Sequence, residues 1–251
     1  MNEYMGWRGK IGLIVNSGQV ITEPLYNHVA PAGVCFYASR ILVKKSVIEE
    51  HLNMEREAFR AAHELASADV QAIVYCCTVS GMLQGIEGDR QFCRRIEEET
   101  GIPTMSTLSA ILAALKALQI NKLVLVSPYD EKTHAAEENF LQTNGFDLIK
   151  SRSMEIDSRK KRPYVASGEI YRFCRENWDD RADGLFISCM NFNGMPCVGA
   201  LEKDLGKPVF SSHSATLWRA LQMIGIRESV PGYGRLLTES TVPEPCAPGL
   251  I

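Results

Sequence analysis

Short runs of Val, Ile, Leu and Phe, of the kind that form strands buried on both faces, alternate along the chain with stretches whose apolar positions recur every three or four residues. The first pattern predicts strands at residues 10 to 15, 33 to 37, 70 to 76, 122 to 127, 147 to 150 and 184 to 188. The second predicts helices at about 46 to 66, 88 to 100, 106 to 119, 131 to 144, 167 to 177, 195 to 205 and 214 to 224. Ser46-Val-Ile-Glu49 reads as a capping box opening the first helix, with Ile48, Leu52, Phe59 and Ala62 along its apolar face. Strands alternating with helices are the signature of parallel sheets joined by crossover helices.

Two of the strand runs look like one local structure built twice. VQAIVYCCTVSG, with Cys77, and GLFISCMNFNG, with Cys189, each run into cysteine and then into small or hydroxyl residues and glycine. The cysteines lie 112 residues apart, and Lys10-Ile-Gly-Leu-Ile-Val-Asn16 maps at the same offset onto Lys122-Leu-Val-Leu-Val-Ser-Pro128. The expected architecture is therefore α/β, with two pseudo-symmetric lobes, each a mostly parallel sheet flanked by helices, and the active site in the cleft between them. Helices that follow Gly101-Ile-Pro103 and Gly206-Lys-Pro208 would cross between the halves, which sets the lobes at residues 1–104 with 213–251, and 105–212. Ligands of open parallel sheets bind beyond the carboxyl ends of the strands. Asn16, Cys77, Tyr129, Cys189 and Asn191 all fall there.

Composition narrows the class. With 45% apolar and 23% charged residues the chain is an ordinary globular one, and a net charge of −3 provides no field for nucleic acid or anionic membrane. The basic run Arg159-Lys160-Lys161-Arg162 reads as a solvated loop. The apolar run near the amino terminus is too short for a signal peptide and no stretch could span a bilayer, so a cytoplasmic location is expected. The eight cysteines then read as reduced thiols. Neighbouring strand residues face opposite ways, so Cys76 and Cys77 cannot share a metal. No metal and no cofactor are expected, since neither C-x-x-C nor a glycine-rich nucleotide loop is present.

A lone buried cysteine is usually a small hydrophobe, and Cys35, Cys93, Cys174, Cys197 and Cys246 are read that way. Cys77 and Cys189 differ because the backbone after a strand end presents free N–H groups, which favour a thiolate.

Asn16-Ser-Gly-Gln-Val-Ile-Thr-Glu-Pro24, Cys77-Thr-Val-Ser-Gly81, Ser127-Pro-Tyr129, Ser188-Cys-Met-Asn191, Ser211-Ser-His-Ser-Ala-Thr-Leu-Trp218 and Val230-Pro-Gly-Tyr-Gly-Arg-Leu236 together resemble the aspartate/glutamate racemase superfamily, in its maleate isomerase and arylmalonate decarboxylase branch. The resemblance spans nearly the whole chain. It implies a cofactor-independent enzyme, usually a homodimer, acting on a small carboxylic acid between two lobes. The decarboxylase pattern has glycine at the first cysteine position, whereas this chain has cysteine at both, which favours isomerase or racemase chemistry. By position, Cys77 would add to the alkene of a cis-diacid and Cys189 would serve as acid/base. Asn16, Thr78, Val79, Tyr129, Met190 and Asn191 would surround the substrate. Gln19 and Ser158 stand where maleate isomerases carry asparagine, so the distal carboxylate would be held differently, with Arg159 as one candidate. His213 reads as a helix-capping or surface residue. The alternatives left open are a two-base racemase or epimerase, a malonate-type decarboxylase, and a non-enzymatic small-molecule binding protein.

Overall fold

The structure, a computed structural model, describes residues 4–44, 47–156 and 158–238. Its first half contains β1 (Gly9–Asn16), α1 (Thr22–Val29), β2 (Val34–Ile41), α2 (Val47–Ala66), β3 (Ala72–Cys76), α3 (Thr78–Thr100), β4 (Thr104–Ser106) and α4 (Thr107–Ala117). The second repeats the scheme with β5 (Lys122–Ser127), α5 (Glu131–Thr143), β6 (Asp147–Ser153), α6 (Ser167–Glu176), β7 (Gly184–Ile187), α7 (Val198–Leu205), β8 (Val209–Ser211) and α8 (Ser212–Met223). Two four-stranded sheets result, ordered β2-β1-β3-β4 and β6-β5-β7-β8, and all their pairings are parallel. The same order in both sheets is the tertiary counterpart of the 112-residue repeat.

Strand alternation divides the core. From β1, Ile11, Leu13 and Val15 point to a central layer, and so do Leu123 and Leu125 of β5 and Val74 and Cys76 of β3. There they meet Leu108, Ile111 and Leu115 of α4 and Leu217, Trp218 and Leu221 of α8, with Phe186 and Phe210 stacked at 4.7 Å. The opposite faces are covered separately. Ile14, Ile73 and Tyr75 pack under Met54, Ala58, Ala61 and Leu65 of α2, while Val124, Val126 and Ile187 pack against Ile170, Val198 and Leu201. Helices α4 and α8 each start with a capping box, on Ser106 and Ser211, whose hydroxyls accept the N–H groups of Ser109 and Ser214. The two helices meet through the hydroxyls of Thr107 and Thr216, 3.3 Å apart.

Several sequence expectations change. The three-residue strands β4 and β8 are too short to register as apolar runs, and α1 is short and polar. Helix α3 starts at Thr78 rather than near 88, because Gly85, at φ +72°, kinks it and interrupts its periodicity. On α2 Ala62 is buried and Phe59 partly buried as expected, but Leu52 is 71% exposed, and the buried stripe is completed by Met54, Ala58, Ala61 and Leu65. Ser46, read as its cap, lies outside the described residues. The segment after α8 touches both halves, since Glu228 pairs with Arg8 and Arg235 with Glu202. No helix among the described residues is long and apolar enough to cross a membrane.

Candidate active site

The carboxyl ends of the strands open into a cavity of about 300 Å³ whose wall includes both Cys77 and Cys189. The two adjacent thiols at the end of β3 go different ways. Cys76 faces the central core, where burial drives its pKa far up, while Cys77 stands at the opening as the residue before the first turn of α3. The backbone N–H groups of Ser80 and Val79 face Cys77 Sγ without closing a strict cap hydrogen bond, and Asn16 Nδ2 donates to it at 3.7 Å. Burial pushes the Cys77 thiol up to about 11, and these three donors act against that rise. A charge on Cys189 would add to the rise.

Cys189 follows β7 with φ at +92°, a conformation that a side-chain-bearing residue rarely adopts. Its own N–H donates to Ser212 Oγ at 3.1 Å, and the same oxygen accepts from Thr78 Oγ1 at 3.3 Å, so one hydroxyl on α8 ties the two cysteine loops together. The N–H of Asn191 donates to Cys189 Sγ at 3.3 Å. Burial raises the Cys189 thiol, while the Arg162 charge, the Asn191 N–H and the Tyr129 hydroxyl pull it back. Behind it Ser188 donates to Glu137, whose second carboxylate oxygen has no hydrogen-bond partner among the described residues. Burial pushes Glu137 up to about 8, and the charge of its ionised form would raise the Cys189 thiol further.

The loop after β1 is built by local bonds. Ser17 N–H donates to Ile41 O, Gln19 N–H to Asn16 O, and Arg40 reaches Gln19 O at 2.7 Å and Glu23 at 3.2 Å. Of the residues expected around a substrate, Asn16, Gln19, Thr78, Val79, Tyr129, Met190 and Asn191 line the cavity together with both cysteines. Ser158 is absent from that wall; it is half-buried and accepts the Lys161 N–H. Two wall residues have their side chains engaged elsewhere. Gln19 Nε2 donates to Thr22 at 2.5 Å, and Asn191 spans the cleft, accepting Val20 N–H at 3.0 Å and donating to Gly18 O at 3.1 Å.

Two readings are corrected here. His213 is neither at the surface nor the cap of α8, which is Ser211. It is fully buried, its Nε2 lies 3.2 Å from Thr22 Oγ1, and burial pushes it down to about 4. Thr22 also donates to Met190 O, so this network fastens the first half to the Cys189 loop. The run 159 to 162 is not a plain solvated loop either, since Arg159, Lys160 and Arg162 line the cavity and Arg162 is only 7% exposed. Ser212 had no signal of its own beyond belonging to a serine-rich helix start, and Arg162 was hidden by its charged neighbours.

A buried pair of thiols with hydrogen-bond donors on each can add to, or move protons on, a small acid held between them. The family described as arylmalonate decarboxylase matches residues 11–237. A maleate isomerase of Pseudomonas putida is 26% identical over 219 residues, 84% of this chain and 86% of its own. Among solved structures, the fold matches an alanine variant of the maleate isomerase Iso from Pseudomonas putida S16 with maleate, at TM-score 0.85 and 23% identity over 92% of this chain and 97% of that one. It also matches a serine variant of the Nocardia farcinica maleate cis-trans isomerase with a covalently bound succinylcysteine intermediate, at TM-score 0.84 and 24% identity over 91% and 98%.

Proposed function

This chain belongs to the arylmalonate decarboxylase family, the branch of the aspartate/glutamate racemase superfamily that also holds the maleate isomerases, and on that premise we propose that it is a cofactor-independent cis-trans isomerase of maleate or a related unsaturated diacid. The observation that carries the reading is the placement of two thiols, from matched strand ends of the two halves, on the wall of one cavity.

Cys77 passes its proton to solvent, and the thiolate so formed adds to one alkene carbon. The electron pair of the double bond moves toward the adjacent carboxylate as an enediolate. The Cys189 thiol protonates the neighbouring carbon, leaving a saturated thioether in which the former double bond is free to rotate. Cys189 then takes a proton back, the carbon–sulfur bond breaks with its electron pair returning to Cys77, the trans diacid leaves, and the Cys77 thiolate regains a proton from solvent. Asn16, the Tyr129 hydroxyl and the N–H groups after each cysteine are suited to stabilise the charge that develops on the carboxylates. Cysteine at position 77 supports this chemistry over decarboxylation, whose pattern has glycine there.

The reading includes a homodimer in the cytoplasm, on family resemblance alone; light scattering tests the former. The main test is proton NMR of maleate with the wild-type chain, Cys77→Ala and Cys189→Ala. Fumarate should form with the wild type and slow by about a thousandfold or more in each variant. No fumarate, with solvent deuterium entering an amino or hydroxy acid instead, would replace isomerisation by two-base racemisation.

A further inference from the structure

The two thiols differ in their nearest polar groups. The partners of the Cys77 sulfur are neutral, the Asn16 amide and the N–H groups that open α3, with Lys44 farther along the same cavity wall. Around Cys189 stands Arg162, only 7% exposed, with its guanidinium carbon 5.1 Å from the centroid of the Tyr129 ring. Its ion pair with Asp130 is loose, at 3.5 Å, and Asp130 is mostly engaged as the cap of α5, accepting from Thr133 N at 3.0 Å and Thr133 Oγ1 at 2.9 Å. Among the described residues the buried Nε of Arg162 has no hydrogen-bond partner. A guanidinium largely removed from water and held by one loose ion pair is a costly arrangement, and an oxyanion bound from the cavity that Arg162 lines would relieve it.

We propose that Arg162 grips the second carboxylate of the substrate, as the specificity-determining residue at the Cys189 end of the cavity. The inference rests on the diacid reading above. A guanidinium offers two parallel N–H donors that match a carboxylate, whereas an amide offers one such donor group and no charge. Ser158, at the position where the family pattern has asparagine, sits off the wall, and Arg162 lies four residues on and on the wall. The Tyr129 ring lies against one side of the guanidinium and helps hold it in place. A diacid would then lie with one carboxylate among the neutral donors beside Cys77 and the other on Arg162. The alkene between them would be held where both sulfurs can reach it.

Succinate, the saturated four-carbon diacid, is the probe, titrated by calorimetry into the wild-type chain, Arg162→Gln and Arg162→Lys, with a melting curve for each. The expected result is binding weakened at least about tenfold in Arg162→Gln and less in Arg162→Lys, which keeps the charge and loses the fork, at unchanged melting points. If the glutamine variant does not fold, Arg162→Lys decides, and a loss of about threefold or more at the wild-type melting point supports the assignment. Succinate affinity within twofold of wild type in the folded variants overturns it while leaving the diacid reading intact. Equal weakening in both variants with melting points lowered in parallel makes Arg162 a residue of the fold and also overturns it. No succinate binding by the wild-type chain, together with no fumarate from maleate, removes the diacid reading and this inference with it.

Discussion

Asn191, two residues past one candidate catalytic thiol, spends its side chain on Val20 in the other half of the molecule, accepting that residue's backbone N–H at 3.0 Å. Its amide nitrogen holds Gly18 O in the same grip. The bond joins the Cys189 loop to the loop that begins at Asn16, so it sets how the two cavity walls face each other. Asn191→Ala should therefore lower stability by about 1–2 kcal/mol in urea denaturation. It should also raise KM for maleate several-fold, because the loop carrying Asn16 loses its anchor.

The positive φ of Cys189 makes a distinction between two inactive variants. Glycine adopts such a conformation without strain and alanine does not. Cys189→Gly is expected to be more stable than Cys189→Ala by about 1 kcal/mol, as measured by chemical denaturation. Equal stabilities would show that the backbone relaxes once the thiol is gone.

The Cys77 thiol, held up to about 11, is almost wholly protonated at neutral pH. Because the thiolate is the reactive form, alkylation of Cys77 by iodoacetamide should quicken about tenfold per pH unit between pH 7 and 9. The Asn16 hydrogen bond favours the thiolate, so Asn16→Ala should slow alkylation at any given pH in that interval. Mass spectrometry of the labelled peptide reads both effects.

Glu137 titrates in the opposite sense from a salt-bridged carboxylate. Its folded pKa of about 8 stands above the ordinary 4.5, so between those values the native state keeps a proton that the unfolded chain has released. Stability from this group is full below about 4.5 and is lost as pH rises toward 8. Glu137→Gln mimics the protonated acid and should melt above wild type at pH 8 to 9, with the gap closing near pH 5. A gap that does not change with pH would mean that Glu137 is charged in the native protein.

His213 sets the acid limb. Pushed down to about 4, its imidazole stays neutral in the fold while the unfolded chain takes up a proton below about 6.5. Its contribution is therefore complete above 6.5 and falls away as pH drops toward 4. His213→Asn should flatten the loss of melting temperature across that interval. A wild-type slope there in the variant would assign the acid limb to other groups.

Much of the fold was written in the order of residues. Strand runs buried on both faces, an offset of 112 between matched segments, and cysteines ending two of those runs identified the parallel sheets, their duplication and the two thiols, because periodicity and strand ends are local properties. The choice of Cys77 over Cys76 is local too, following from the 112-residue register and from Thr78 and Ser80 just after it, and the fold puts Cys76 in the central core. What only the tertiary structure decided depends on which side chains meet across the cleft. Nothing local distinguishes Arg162 from Arg159, Lys160 and Lys161, yet its turn places it under Tyr129 and behind Asp130 while Arg159 and Lys160 stay more open. The same holds for Asn191, which is committed to Val20, and for Ser212, which serves Thr78 and Cys189 at once. Burial and long-range hydrogen bonds assign such roles, and a one-dimensional pattern carries neither.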